Sequence, residues 1–304
     1  MPLGDHQAAA ISASLARTAY TSFRLWGARV ARFARDNPVA AAAGLILLLL
    51  AILAAFGPLI SPFDPLEFHS MDRFARPSGT YLMGTDKFGR DELSRLIAGT
   101  RSIFTVVAVS VAIGVTAGAL IGLVSGYRGG WLDIIVQRIM DSMMAIPLLV
   151  LILAILAMLG RSDINVIGAI AAVNMPIANR VIRSATLSVK EEVYVDAARA
   201  LGASDWRISL RHIGPNVLAP YLVIASTQLS WAIIVVSALS FLGVASPPPE
   251  PSWGRMLSEG AREFAERAPW LAIFPGVFIF SSVLSFNLMG DVLRDTLDPR
   301  LRGR

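Results

Sequence analysis

The sequence predicts an all-α fold: a polytopic membrane protein with about six transmembrane helices. Three observations carry this. Only 16% of the 304 residues are charged and 55% are hydrophobic, where an average soluble domain carries about 25% charged residues. Asp, Glu, Lys and Arg are absent from Asn37–Phe63, Ser102–Tyr127, Ser142–Gly160, Ile164–Asn179, His212–Pro249 and Ala268–Gly290, which together make 149 residues, about half the chain. Crossing the roughly 30 Å hydrocarbon layer takes about 20 mostly apolar residues, and all of these runs but the 16-residue Ile164–Asn179 meet that length within its range. A large soluble core rarely produces such runs in succession. The absence of cysteine excludes disulfides, iron–sulfur clusters and thiolate metal sites. His6, His69 and His212 are too far apart in sequence to make a metal-ligand spacing.

The first element is an N-terminal arm, 1–38, carrying Arg17, Arg24, Arg29, Arg32 and Arg35. A cleavable signal has a short charged region and an apolar core of about 7–15 residues. The run that follows the arm is longer and deeper in the chain, so it is read as a retained first span, 39–60. An external, periplasmic loop covers 61–101. A membrane core covers 102–290, with spans near Ile103–Ser125, Ser142–Leu159, Ile164–Ile182, Val217–Val244 and Trp270–Met289. A tail, 291–304, closes the chain. Span two holds Gly114, Gly118 and Gly122 at a four-residue spacing, one small-residue face that allows close helix contact. Pro147, Pro176 and Pro275 fall inside spans three, four and six, where proline removes a donor and bends a helix. The segment 245–269 opens with Pro247, Pro248, Pro249 and Pro251, and a short helix near Ser252–Glu266 is expected after them.

Six spans put both termini on one side. With the termini inside, the segments 1–38, 126–141, 180–216 and 290–304 hold 17 basic and 11 acidic residues, against 10 basic and 11 acidic outside. That agrees with the enrichment of Lys and Arg in cytoplasmic loops. The loop 61–101 opposes the trend with six basic residues, but six acids accompany them and its length allows translocation.

The inside segment 183–216 is the most informative. Ser188 and Glu191 have capping-box spacing, Ala197–Leu201 are good helix formers, and Gly202 suits a helix end. A second short helix is expected from Ser204 to about His212, with Asp205 near its positive end and Pro215 closing it. Small alanines let such a helix sit deep in a partner's groove, with Asp196 free to pair with a basic group there.

At this point the residues resemble a known family. Asp196-Ala197-Ala198, Gly202 and Pro215 look like the "EAA" loop of the membrane-spanning subunits of prokaryotic ATP-binding cassette importers. Tyr194–Ser204 and the run 211–216 are closer still to the peptide/nickel branch. Gly84-Thr85-Asp86-Lys87-Phe88-Gly89-Arg90-Asp91 resembles that branch's segment after span one, followed by Ser94-Arg95-Leu96. Asp141–Pro147 and Ser240–Gly243 are similar to that branch too, and Phe286–Asp291, Leu293–Asp295 and Leu297–Arg300 resemble the end of the second, C-type permease of dipeptide and oligopeptide importers. The likeness spans about 40 to 302.

The resemblance implies a type I ABC importer transmembrane-domain fold in the bacterial inner membrane. It implies a second homologous permease, two cytoplasmic ATPase subunits and an external solute-binding protein. ATPase docking falls on Tyr194, Asp196, Ala197, Ala198, Arg199, Leu201, Gly202, Ala203, Ser204 and Asp205. The external motif falls on Gly84, Thr85, Asp86, Gly89, Arg90 and Asp91. Two departures stand out: Asp196 replaces the usual glutamate, and Val244 and Ala245 follow Gly243 where the family continues with leucine and glycine. Ser226, Gln228 and Ser237 are candidates to line the translocation path for short peptides or related solutes such as nickel complexes, glutathione or conjugated sugars.

A phosphate-binding loop needs Gly-Lys-Ser/Thr, and neither lysine, Lys87 or Lys190, sits in one. ATP and Mg are therefore expected on partner ATPases, with no cofactor in this chain. The rival reading is an ion-coupled secondary transporter, which commonly places an ionisable group within the membrane. The six uncharged runs contain none, and Asp141, Arg180 and Asp291 lie at span edges. A membrane enzyme is disfavoured, for no nucleophile–base set or HExxH motif is present; a transport subunit, not an enzyme, is expected.

Overall fold

A computed structural model describes residues 32, 34–245 and 249–297. Most of the N-terminal arm, Pro247 and Pro248, and the Asp298-Pro299-Arg300 run lie outside the described residues. We number the helices α1 (Pro38–Ile60), α2 (Glu92–Arg128), α3 (Gly130–Met144), α4 (Leu148–Leu159), α5 (Asp163–Val189), α6 (Val193–Ala200), α7 (Gly214–Phe241), α8 (Trp253–Glu263) and α9 (Trp270–Leu297). Among the described residues, five helices, or six spans if α3 and α4 count as one bent span, are long and apolar enough to cross a bilayer.

Several boundaries differ from the sequence expectation. α2 starts at Glu92, not near Ile103, because Asp91 caps it by accepting from the Ser94 amide. Its first turns bury Glu92 and Arg95 against neighbouring segments. The third span is two helices bent by 89°. Pro147 explains the break, for it has no N–H to continue the ladder and its preceding residue is driven from helical geometry. α5 runs through Pro176 to Val189, so Ser188 is its last turn and makes no capping box. α6 starts after Glu192 with no side-chain cap. Pro215 does not close the loop helix, for the helical path runs on from Asp205 through Ile208–Ile213 into α7. α9 continues past Met289 to Leu297.

α2 and α5 form the centre and run parallel. A Cβ at Gly114, Gly118 or Gly122 would strike the backbone of Ala171, Met175 or Asn179, and one at Gly126 would press on Arg183. Each step of four on α2 meets a step of four on α5, so the small-residue face serves close helix packing. Leu96, Ile152, Ile170, Ile233 and Leu239 are fully buried in the core that α2, α4, α5 and α7 share. α1 and α9 lie at the periphery, with only 17% and 22% of their apolar windows buried.

Contacts also fix the ends. Gly44 faces Met289 and Gly57 faces Ile97, so residues 38 and 297 share the end that carries 190–213. Segments 61–91 and 249–269 cover the opposite end.

Candidate functional site

At one end, the expected two-helix loop is present in altered form. α6 buries Val195 completely against Ile208, Ile213 and Val217, together with Leu123 of α2 and Ile182 of α5. Gly202 turns the chain at φ +79°. Ser204 then caps the turn Asp205–Arg207 by accepting from the Arg207 amide. This turn passes through a π-helical stretch, Ile208–Ile213, straight into α7. π-helical turns of this kind are rare and frequent at functional sites.

Polar contacts lock the loop to its supports. Tyr127 of α2 donates to Asp205 at 2.9 Å. Asn216 donates to the Tyr194 hydroxyl at 2.9 Å and to the His212 carbonyl at 2.8 Å. Burial and the nearby Glu192 charge push the Tyr194 phenol above its ordinary pKa. Lys190 reaches the Gly126 carbonyl at 3.4 Å. Asp196, expected to wait for a partner's base, pairs with Arg199 at 2.7 Å on the loop's own surface. Val193, Leu201 and Trp206 stand out at 81%, 88% and 66% exposure. The loop thus has a fixed underside and an apolar, charge-bearing outer face. Sequence reasoning found its backbone plan and Leu201 but missed Val193 and Trp206, which lie in different local structures and share no period.

At the opposite end, the Gly84–Asp91 motif folds inward. Gly84 and Gly89 take φ +76° and +77°. A side chain at Gly89 would meet the His69 backbone. Asp86 accepts from the Phe88 and Arg90 amides at 2.8 and 2.9 Å and pairs with the Arg90 guanidinium at 2.6 Å. Arg90 stacks on Phe88 with its centre 4.7 Å from the ring. Thr85 donates to the Asp72 carbonyl and accepts from the Ala75 amide. Trp270 donates to the Thr85 carbonyl, and Trp253 of α8 to the Leu96 carbonyl at 3.0 Å. Thr85, Asp86, Arg90 and Asp91 are buried, so this motif builds a cap rather than displaying side chains.

The three candidates for the path are also placed by the structure. Gln228 is buried and donates to Asn174 of α5. Ser226 packs under Gly290 of α9, and Gly254 of α8 rests on Ser237. All three are enclosed at helix crossings within this chain: the serines allow close helix approach, and Gln228 donates to the Asn174 side-chain carbonyl.

Among the described residues, membrane-length helices form a bundle with a buried cap at one end and a packed surface loop at the other, the architecture of a polytopic membrane protein. Residues 118–303 match the family described as binding-protein-dependent transport system inner membrane component. Residues 25–77 match the N-terminal TM domain of oligopeptide transport permease C. The chain is 42% identical over 272 residues to the glutathione transport system permease protein GsiD of Pectobacterium atrosepticum, covering 89% of this chain and 90% of that one. It is 40% identical over 268 residues to the dipeptide transport system permease protein DppC of Alkalihalophilus pseudofirmus, 88% of each. To the di/tripeptide transport system permease protein DppC of Pseudomonas aeruginosa it is 41% identical over 264 residues, covering 85% and 87%. The chain belongs to the binding-protein-dependent transport system inner membrane component family, and it is the permease of an ATP-binding cassette importer.

Proposed function

We propose that this chain pairs with a second permease to form a translocation path for short peptides. Two cytoplasmic ATPases, binding ATP and Mg, drive it, and an external solute-binding protein feeds it. The loop end and both termini face the cytoplasm. The observation that carries the reading is the seating of α6: Val195, Ile208 and Ile213 lock the loop onto α2, α5 and α7 while Val193, Leu201 and Trp206 stay exposed. Such a loop transmits displacement to three spans at once. ATP-driven closure of the ATPases draws the two permeases' loops together and shifts the bundle from inward-facing to outward-facing. Hydrolysis then resets it. ATP biases this equilibrium only by binding the two states unequally.

A specific observation favours a second cargo. A relative named for glutathione, itself a γ-linked tripeptide, matches this chain as well as those named for dipeptides. Co-expression with the ATPases and binding protein, followed by mass spectrometry of the binding protein's ligand and by uptake of labelled di- and tripeptides, tests the proposal. ATP-dependent peptide uptake is expected. A ligand that is neither an α- nor a γ-linked peptide sinks the substrate assignment.

A further inference from the structure

Asp141 and Arg180 lie far apart in sequence, and the fold brings them together. The Arg180 Nη2 donates to Asp141 Oδ1 at 3.0 Å, and the side chains are 60% and 54% exposed. Arg180 is the one exposed residue of α5 from Ala169 to Arg183. It stands nine residues before the end of α5 at Val189, about 13 Å along the axis at 1.5 Å per residue. Asp141 is on the last turn of α3, beside the 89° elbow at Pro147. Both residues stand at span edges, and ionisable groups of spans face a bundle interior or a water-filled cavity rather than lipid.

Its geometry is also open. The bond to Arg180 is the only hydrogen bond that the Asp141 side chain makes among the described residues, and the Arg180 side chain makes no other. One carboxylate oxygen and the rest of the guanidinium therefore remain free for a ligand. An exposed pair is held weakly, so it opens readily. We propose that Asp141 and Arg180 form a contact point in the translocation path for solutes that carry both an ammonium and a carboxylate. The ammonium replaces Arg180 at Asp141, and the carboxylate takes two parallel bonds from Arg180, the geometry that suits a guanidinium fork. This rests on the peptide reading above and names the groups of the peptide it recognises, its two termini.

The test uses the assembled importer with its ATPases and binding protein in proteoliposomes. D141N and R180Q are each expected to lower dipeptide uptake about tenfold or more, the loss of one charge-assisted contact, while basal ATP hydrolysis persists. The charge swap D141R/R180D restores the ion pair and is expected not to restore uptake. Ser142 is exposed beside Asp141, and the chain has no cysteine. S142C is expected to react with a charged thiol reagent in the assembled complex, and saturating dipeptide is expected to slow the reaction. Full uptake by D141N and R180Q overturns the proposal. Rescue by the swap, or an unreactive S142C, marks a contact between the two permeases and also overturns it. If the wild-type assembly imports no peptide at all, it is the proposed function that fails.

Discussion

Gly202 sits at φ +79° with nothing within 4 Å of where a side chain would begin. Only backbone conformation, not space, restricts this position. A β-branched residue there costs on the order of 1–3 kcal/mol of strain, whereas asparagine tolerates the left-handed region. Gly202→Val should therefore lose ATP-dependent uptake while still inserting in the membrane, and Gly202→Asn should keep most of it. Vesicle uptake of labelled dipeptide checks both, and wild-type uptake by the valine variant would sink this role. Asp196 gives the complementary case. Its pair with Arg199 is exposed at the surface, where such pairs contribute little to stability. Asp196→Ala should leave the fold intact yet weaken ATPase association, read as reduced co-purification at moderate salt. Undiminished co-purification removes Asp196 from the docking role.

At the scale of elements, the sequence disclosed what the solvent dictates and missed what packing dictates. Spans were legible because lipid demands long uncharged runs, and the glycine face of α2 was legible because four-residue spacing is a helical property. The start of α2 was not, because Glu92 and Arg95 look like loop residues until a cap buries them. The end of α5 was hidden similarly: Ser188 and Glu191 signal a local start, but Ile182 and Thr186, both fully packed, hold the helix past them. The turn after α6 could be read from Gly202, while the ion pair Asp141–Arg180 joins two separate helices and has no sequence signal. The α2–α5 seam yields a test with its own control. Gly118→Leu would force a side chain into the Met175 backbone, and overpacking of this kind costs about 1–3 kcal/mol. Gly168→Leu meets open space on the same helix pair. Thermal unfolding in detergent should fall for the first variant and stay near wild type for the second. Equal midpoints would mean that the seam is not rigid.

For the whole molecule, α2 is the member that joins the two ends. It has 37 residues, about 55 Å at 1.5 Å per residue. Asp91, Glu92 and Arg95 are buried in the cap at its start, and Tyr127 holds Asp205 of the loop near its finish. One continuous helix therefore links the loop to the cap, with the α5 seam packed along it. That arrangement is useful to an importer only if the ends face opposite compartments, and the missing cysteines make the question direct. Ala261 on α8 and Leu201 in the loop are both exposed. In intact cells, a membrane-impermeant thiol reagent should label Ala261→Cys and spare Leu201→Cys. After permeabilisation both should react, unless bound ATPase shields position 201, in which case stripping the ATPases should restore labelling. The reverse pattern in intact cells would invert the topology. It would place the exposed face of Val193, Leu201 and Trp206 outside, where no ATP-driven partner could reach it.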